Sequence, residues 1–184
     1  QGYIIQDEGD ALLVDTAYNA PAMLDQLRRR GLRLIGICLT HGHADHADGI
    51  EQILSHREVP VYLDTEDEGL LGWRPRADLL VTPVDRMVIR VGNRTVRCLT
   101  TPGHTPGGIC YHLDDEQLPV CFVGDTLFAG SIGRSNPKEL YATHLNSVRD
   151  RLLTLSPDYR LFPGHGPATT VEEELDHNPF AWIH

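Results

Sequence analysis

Basic residues are in deficit in this sequence, CxxC cysteine pairs are absent, and no apolar run approaches the roughly 18 residues that span a membrane. Each shortage excludes a class of protein. With 16 Lys and Arg against 26 Asp and Glu, and a formal net charge of −10, the chain is not built to hold a polyanion such as nucleic acid, although a small anion is still admissible. The four cysteines, Cys38, Cys98, Cys110 and Cys121, lie far apart within or beside apolar stretches, so buried thiols are expected rather than a disulfide framework or a thiolate metal site. Lacking a membrane-length run and a signal-peptide pattern, the protein is expected to be soluble and cytoplasmic, with no membrane partner. No G-x-S-x-G stretch occurs, so a serine nucleophile on a strand-to-helix elbow is not indicated. Low-complexity segments, short-period repeats and Ser/Gly-rich linkers are also missing, and the 184 residues read as a single domain, 1–184, able to bury most of its apolar surface. The first residue is Gln1 rather than Met, and "GYII" reads as a strand already in progress, so a short N-terminal segment is expected upstream.

What is present alternates between strand and helix patterns. "GYIIQ" and "ALLVD" read as two strands around the turn "DEGD". "NAPAMLDQLRRRG" reads as a helix with Asn19 as its cap, Pro21 in the first turn, Met23, Leu24 and Leu27 as its apolar stripe and Gly31 at its end. A buried strand is expected over Leu34–Leu39, a short helix over Ala47–Leu54, and a hairpin in "MVIRVGNRTVRCLT" turning at Gly92-Asn93. Further strands are expected in "VPVYL", "GGICYHL", "PVCFVG" and "RLFPGHG", with the turn "DDEQ" between the second and third. Helices are expected in "DTEDEGLLG", over Glu139–Leu155 and in "TVEEELDH". The acidic stretches "DTEDEG" and "VEEELD" read as solvated helix surfaces. Two β-rich halves, each with helices, imply two sheets covered on their outer faces.

The chemistry concentrates in loops that come directly after strands. "LTHGHADHADGI" carries His41, His43, Asp45 and His46 directly after an apolar strand, and His104 in "TTPGHTPGG", Asp125 in "FVGDTLF" and His165 in "FPGHGP" occupy the same kind of place. If those strand ends share one edge, five histidines and two aspartates meet in one cleft. Imidazole and carboxylate donors without thiolate suit divalent ions such as Zn, Fe or Mn. His56, His144 and His184 show no such pattern, and His112 and His177 read as strand and helix-surface residues.

"THGHADH" resembles the HxHxDH signature of the metallo-β-lactamase superfamily, with His104, Asp125 and His165 at its later ligand positions. Within it, "TPGHTPGGICY", "GDTLFAGSIGR", "PGHGPATT" and "HNPF" resemble the short glyoxalase II-like hydrolases. The resemblance covers nearly the whole chain and implies a four-layer αββα sandwich. It also implies two divalent metal ions, zinc first: His41, His43 and His104 on one, Asp45, His46 and His165 on the other, and Asp125 bridging. Asp45 and Asp125 take catalytic as well as metal-holding roles, and Arg134 takes substrate binding. The implied reaction is attack of a metal-bridging hydroxide on a thioester such as S-lactoylglutathione, the thiolate leaving without a strong general acid because a thiol pKa is only about 8.5. A mononuclear iron enzyme acting on persulfides and a lactone or β-lactam hydrolase are the alternatives on the same fold.

The sequence departs from the family pattern at three places. "DTA" at Asp15–Ala17 stands where Asp-Pro-Gly is usual, a difference expected to affect only a turn. Ser135-Asn136 follow Arg134 where a basic-aromatic-Tyr contact to the thiol part is usual, and the helical extension of full-length glyoxalase II does not follow "HNPF". A weak grip on the glutathione portion is therefore expected.

Overall fold

Strand β2 (Asp10–Val14) sends its side chains alternately into two separate cores, Ala11 and Leu13 to one and Leu12 and Val14 to the other. Both faces of its sheet are therefore buried, which is the defining demand of a layered sandwich. The computed structural model describes residues 1–113, 115, 117 and 119–182. The expected "DDEQ" turn lies partly outside the described residues, at Asp114 and Glu116, and so does His184.

Five strands form the first sheet in the order β1 (Tyr3–Asp7), β2, β3 (Arg33–Cys38), β4 (Val61–Tyr62), β5 (Leu80–Val81). Glu8 and Gly9, at φ 48° and 81°, make the two-residue turn that joins β1 to β2 antiparallel. From β2 onward the pairs are parallel. The second sheet contains β6 (Val88–Val91), β7 (Arg94–Thr100), β8 (Ile109–Leu113), β9 (Val120–Gly124), β12 (Arg160–Pro163) and β13 (Thr169–Thr170), with a small separate hairpin of β10 (Leu127–Phe128) and β11 (Ser131–Ile132). The β6–β7 hairpin turns at Gly92-Asn93, as the sequence predicts.

Between the sheets, Ile5, Leu12, Val14 and Cys38 of the first meet Val96, Cys98, Tyr111, Leu113 and Phe122 of the second. Helix α1 (Ala20–Arg29) and, later, helix α3 (Ile50–His56) cover the first sheet through Met23, Leu27, Ile50, Ile53 and Leu54. The second sheet is covered by Val148, Leu152, Leu153 and Val171. This is the four-layer αββα arrangement. All four cysteines are free and buried, and among the described residues no helix is long and apolar enough to cross a membrane.

Three local expectations need correction. Asn19 precedes α1 but its side chain makes no capping hydrogen bond. The helix expected over Ala47–Leu54 is two helices, α2 (Ala44–Ala47) and α3. It breaks at Gly49, where a Cβ would lie only 2.9 Å from the Ala17 carbonyl oxygen, so the chain segment before α1 has pushed into the gap. The helix expected over Glu139–Leu155 changes pitch: 3₁₀ over Lys138–Leu140, α4 over Tyr141–Asn146, then π over Ser147–Leu152. A π turn carries an extra residue and so rotates the side chains beyond it about the helix axis. Leu153 joins Leu152 in the core, while Leu140 and Leu155 stay half-buried.

Candidate metal centre

β7, β9 and β12 point the same way, since β7 and β9 are both antiparallel to β8 and β12 is parallel to β9. Their C-terminal ends deliver His104, Asp125 and His165 to one edge of the second sheet. The loop after β3 delivers His41, His43, Asp45 and His46 from the first sheet, and a hydrogen bond of 2.9 Å from the Ile109 amide to the Thr40 carbonyl ties the two edges together. All seven residues therefore gather at one end of the sandwich, and they do so as overlapping triplets. His41, His43 and His104 present ligand atoms within 4.8 Å of one another, as do His41, His46 and Asp125, and Asp45, His46 and His165. Asp125 lies between them: one oxygen is 3.3 Å from His46 Nε2, and the other is 3.8 Å from His104 Nε2 and 3.7 Å from His165 Nε2.

Three buried atoms in this cleft have no hydrogen-bond partner: His41 Nε2, His46 Nε2 and Asp125 Oδ1. Leaving such groups unsatisfied costs about 1–3 kcal/mol each. Orphans that converge are what a cation seat requires, so the donor set fits divalent metal ions. Gly164 completes the cradle, because a Cβ there would lie 2.4 Å from Asp125 Oδ1 and 2.3 Å from His46 Cε1. Electrostatics agree. Burial lowers the His46 pKa, but the neighbouring carboxylates of Asp125 and Asp15 outweigh it and push the ring up to about 10, so the pocket draws positive charge. Burial holds His41 well below the ordinary imidazole range and lowers His104 too, favouring the neutral form that can ligate.

The outward ring nitrogens are pinned. Asp15, 1% exposed, accepts from His46 Nδ1, from the Thr40 amide and from the Thr40 hydroxyl, each at 2.8 Å. Thr16 and Ala17 donate their amides to the His46 carbonyl at 2.8 and 2.9 Å. The "DTA" segment is therefore not merely a turn; it holds one ligand by ring and backbone alike. His104 Nδ1 donates to the Arg134 carbonyl at 2.7 Å. Such partners fix tautomer and ring orientation.

Sequence reasoning missed other buried groups here. Asp67, in the 3₁₀ turn Thr65–Leu70, and Glu174, in helix α5 (Val171–His177), are 0% and 1% exposed, so neither acidic stretch is wholly a solvated surface. Glu174 accepts from Thr169 Oγ1, the Gly130 amide and Asn178 Nδ2, which also donates to the Ser131 carbonyl. His144, buried, donates Nε2–H to the Thr126 carbonyl and accepts at Nδ1 from the Ser135 hydroxyl. It thus backs the loops bearing Asp125 and Arg134. His56 and His177 are exposed and lie away from the cleft.

Beside His104 opens a groove of about 590 Å³ lined by Ile132, Gly133, Arg134, Ser135, Lys138, Tyr141 and Phe180. Arg134, the residue that the resemblance implies for substrate binding, lines this groove. Lys138, the chain's only lysine, and the Tyr141 ring join it from the stretch directly after "GRSN", and the Phe180 ring joins from a distant segment. Asn178 Oδ1 accepts from the Phe180 amide at 3.0 Å, which sets that wall.

A family model described as the metallo-beta-lactamase superfamily matches residues 2–165. Hydroxyacylglutathione hydrolase GloC of Haemophilus influenzae is 31% identical over 194 residues, covering 96% of this chain and 90% of that protein. Among solved structures, the BLEG-1 B3 metallo-beta-lactamase superposes with a TM-score of 0.86 at 32% identity, over 99% of this chain and 94% of that one. TTHA1623 in a di-iron-bound form gives 0.80 at 30%, over 97% and 93%.

Proposed function

The chain belongs to the metallo-beta-lactamase superfamily, and from that premise we propose that it is a dinuclear, zinc-dependent hydrolase cleaving small thioesters such as S-lactoylglutathione. The observation that carries this reading is the pair of donor triplets with Asp125 between them and orphaned atoms turned inward. His41, His43 and His104 would hold one ion and Asp45, His46 and His165 the other, with Asp125 touching both. When bound, two such ions supply hydroxide at neutral pH and polarise the acyl carbonyl.

The chain's own residues do the rest. Asp15 and the Arg134 carbonyl keep His46 and His104 in the tautomer whose Nε2 faces the cleft. The Asp45 carboxylate, 2.9 Å from His165 Nε2, stands at the solvent-facing side of the second triplet. The groove beside His104 receives the thiol portion, Arg134 and Lys138 facing its carboxylates and Tyr141 and Phe180 flanking its apolar parts. A thiolate, of pKa about 8.5, leaves without a strong general acid, so none is needed on that wall.

The reading is supported by the likeness to GloC, described as a hydroxyacylglutathione hydrolase. A panel of thioester, lactone and persulfide substrates, assayed on protein of measured metal content, tests it. Thioester hydrolysis with two ions per chain is expected. Oxygen uptake with a persulfide at one iron per chain would overturn it.

A further inference from the structure

Asp67 has no place in the ligand set, yet its side chain is fully buried. A carboxyl group in such a place is costly to bury unless its oxygens find donors. Three donors meet them, and none belongs to its own 3₁₀ turn. Oδ2 accepts from the Gly42 amide at 3.2 Å and from the Thr105 hydroxyl at 2.7 Å; Oδ1 accepts from the Gly107 amide at 2.9 Å. Gly42 sits between His41 and His43, and Thr105 follows His104. One carboxylate thus grips both loops that supply the first triplet, across 25 to 40 residues of sequence.

The packing leaves no slack. A Cβ on Gly42 would lie 2.4 Å from the Asp67 carbonyl oxygen, and one on Gly107 would lie 2.9 Å from Asp67 Cγ. With the loops clamped, His43 Nδ1 and His104 Nε2 stand 3.1 Å apart, and the three rings of His41, His43 and His104 meet edge-on at 4.7 to 4.9 Å between centroids. The second triplet is tethered differently, through Asp15 and the segment Thr16–Ala17, and makes no contact with the Asp67 carboxylate.

We propose that Asp67 is a positioning residue that sets the spacing of His41, His43 and His104, and so tunes the affinity of one ion of the pair and not the other. This rests on the two-ion reading of the centre. Its mechanism is geometric. Asp67→Asn keeps the volume but turns an N–H toward the Gly42 or Gly107 amide, so one loop must step back. Thr105→Val removes a single donor and leaves the carboxylate in place.

The test is a metal titration of the full chain with Zn²⁺ in chelator buffers, repeated with Co²⁺ to follow the visible bands of each site. Wild type should take two ions. Asp67→Asn should weaken one of them tenfold or more and leave the other within threefold, and Thr105→Val should weaken the same ion by a smaller factor. In a His104→Ala background, where the first triplet is already broken, Asp67→Asn should add no further loss. A general packing role would instead weaken both ions alike and would persist in that background, and this result overturns the proposal, as does unchanged affinity for both. If Asp67→Asn does not fold, the Thr105→Val comparison decides by the same criteria. Fewer than two ions in wild type would show that the reading of the centre itself fails, and this inference with it.

Discussion

Adding one methyl group at Gly164 should empty the metal centre while leaving the fold standing. The backbone of Gly164 does not lie in the left-handed region, so alanine is conformationally admissible there. The methyl has no room: it would lie 2.3 Å from His46 Cε1, 2.4 Å from Asp125 Oδ1 and 3.0 Å from His46 Nε2, where ordinary contact begins at 3.4 Å. The shortfall is about 1 Å. His46 cannot yield easily, because its ring is pinned to Asp15 at 2.8 Å. Asp125 yields only by leaving the line between the two triplets. Ligand distances in metal sites hold to about 0.2 Å, so a shift several times larger should lower affinity by about 100-fold or more. Overpacking should cost the metal-free protein about 1–3 kcal/mol. The assay is elemental analysis after dialysis, with thermal melts in the presence of chelator and of zinc. Wild type should melt higher with zinc, and Gly164→Ala should melt alike in both. A variant that keeps two ions at affinities within threefold of wild type would refute the assignment of this void as the ion seat.

Asp125→Ala should lose both ions, whereas His46→Ala should lose mainly one, by elemental analysis; retention of both in Asp125→Ala would remove its bridging role. For the groove, trimming the peptide from lactoylglutathione should cost about 1–2 kcal/mol in kcat/KM, and Arg134→Ala and Lys138→Ala should each erase part of that difference, most of it together. Equal selectivity in the double variant would place the thiol elsewhere. Glu174→Gln replaces one acceptor oxygen by an N–H that opposes the Gly130 amide in either orientation and should destabilise by about 2–3 kcal/mol, lowering the melting temperature by about 4–12 °C; an unchanged melt would show that this network is not strained by the exchange.

The sandwich could be read from the chain because strand and helix periods alternate cleanly, and the loop residues stood out because histidine and aspartate crowd directly after apolar runs. Residues that act through tertiary contact were opaque. Asp67 and Glu174 look like members of solvated acidic runs until residues 38 and 5 positions away place threonine hydroxyls on them. Asp15 carried a usable signal: an aspartate closing a buried apolar strand has lost its water and must find donors. His144 carried none, since it meets its partners Thr126 and Ser135 only through a loop crossing that no periodicity encodes. The groove was only half legible, since Arg134 and Tyr141 lie in one stretch of sequence but Phe180 reaches it from a distant one.

Four of the seven donors hang from the first sheet and three from the second, so any ion seated among them is also a rivet across the seam of the sandwich. Its occupancy then belongs to the protein's lifetime as much as to its chemistry. At a free ion concentration 100 times the dissociation constant, a single site adds about 2.7 kcal/mol against unfolding, a quantity that vanishes as the surroundings are starved of metal. A copy without ions lacks that tie, and it should open more often along the apolar layer of Leu12, Val14, Tyr111 and Phe122 and be cut faster by proteases. Metal scarcity would thereby shrink the population of this protein before it slowed any one molecule.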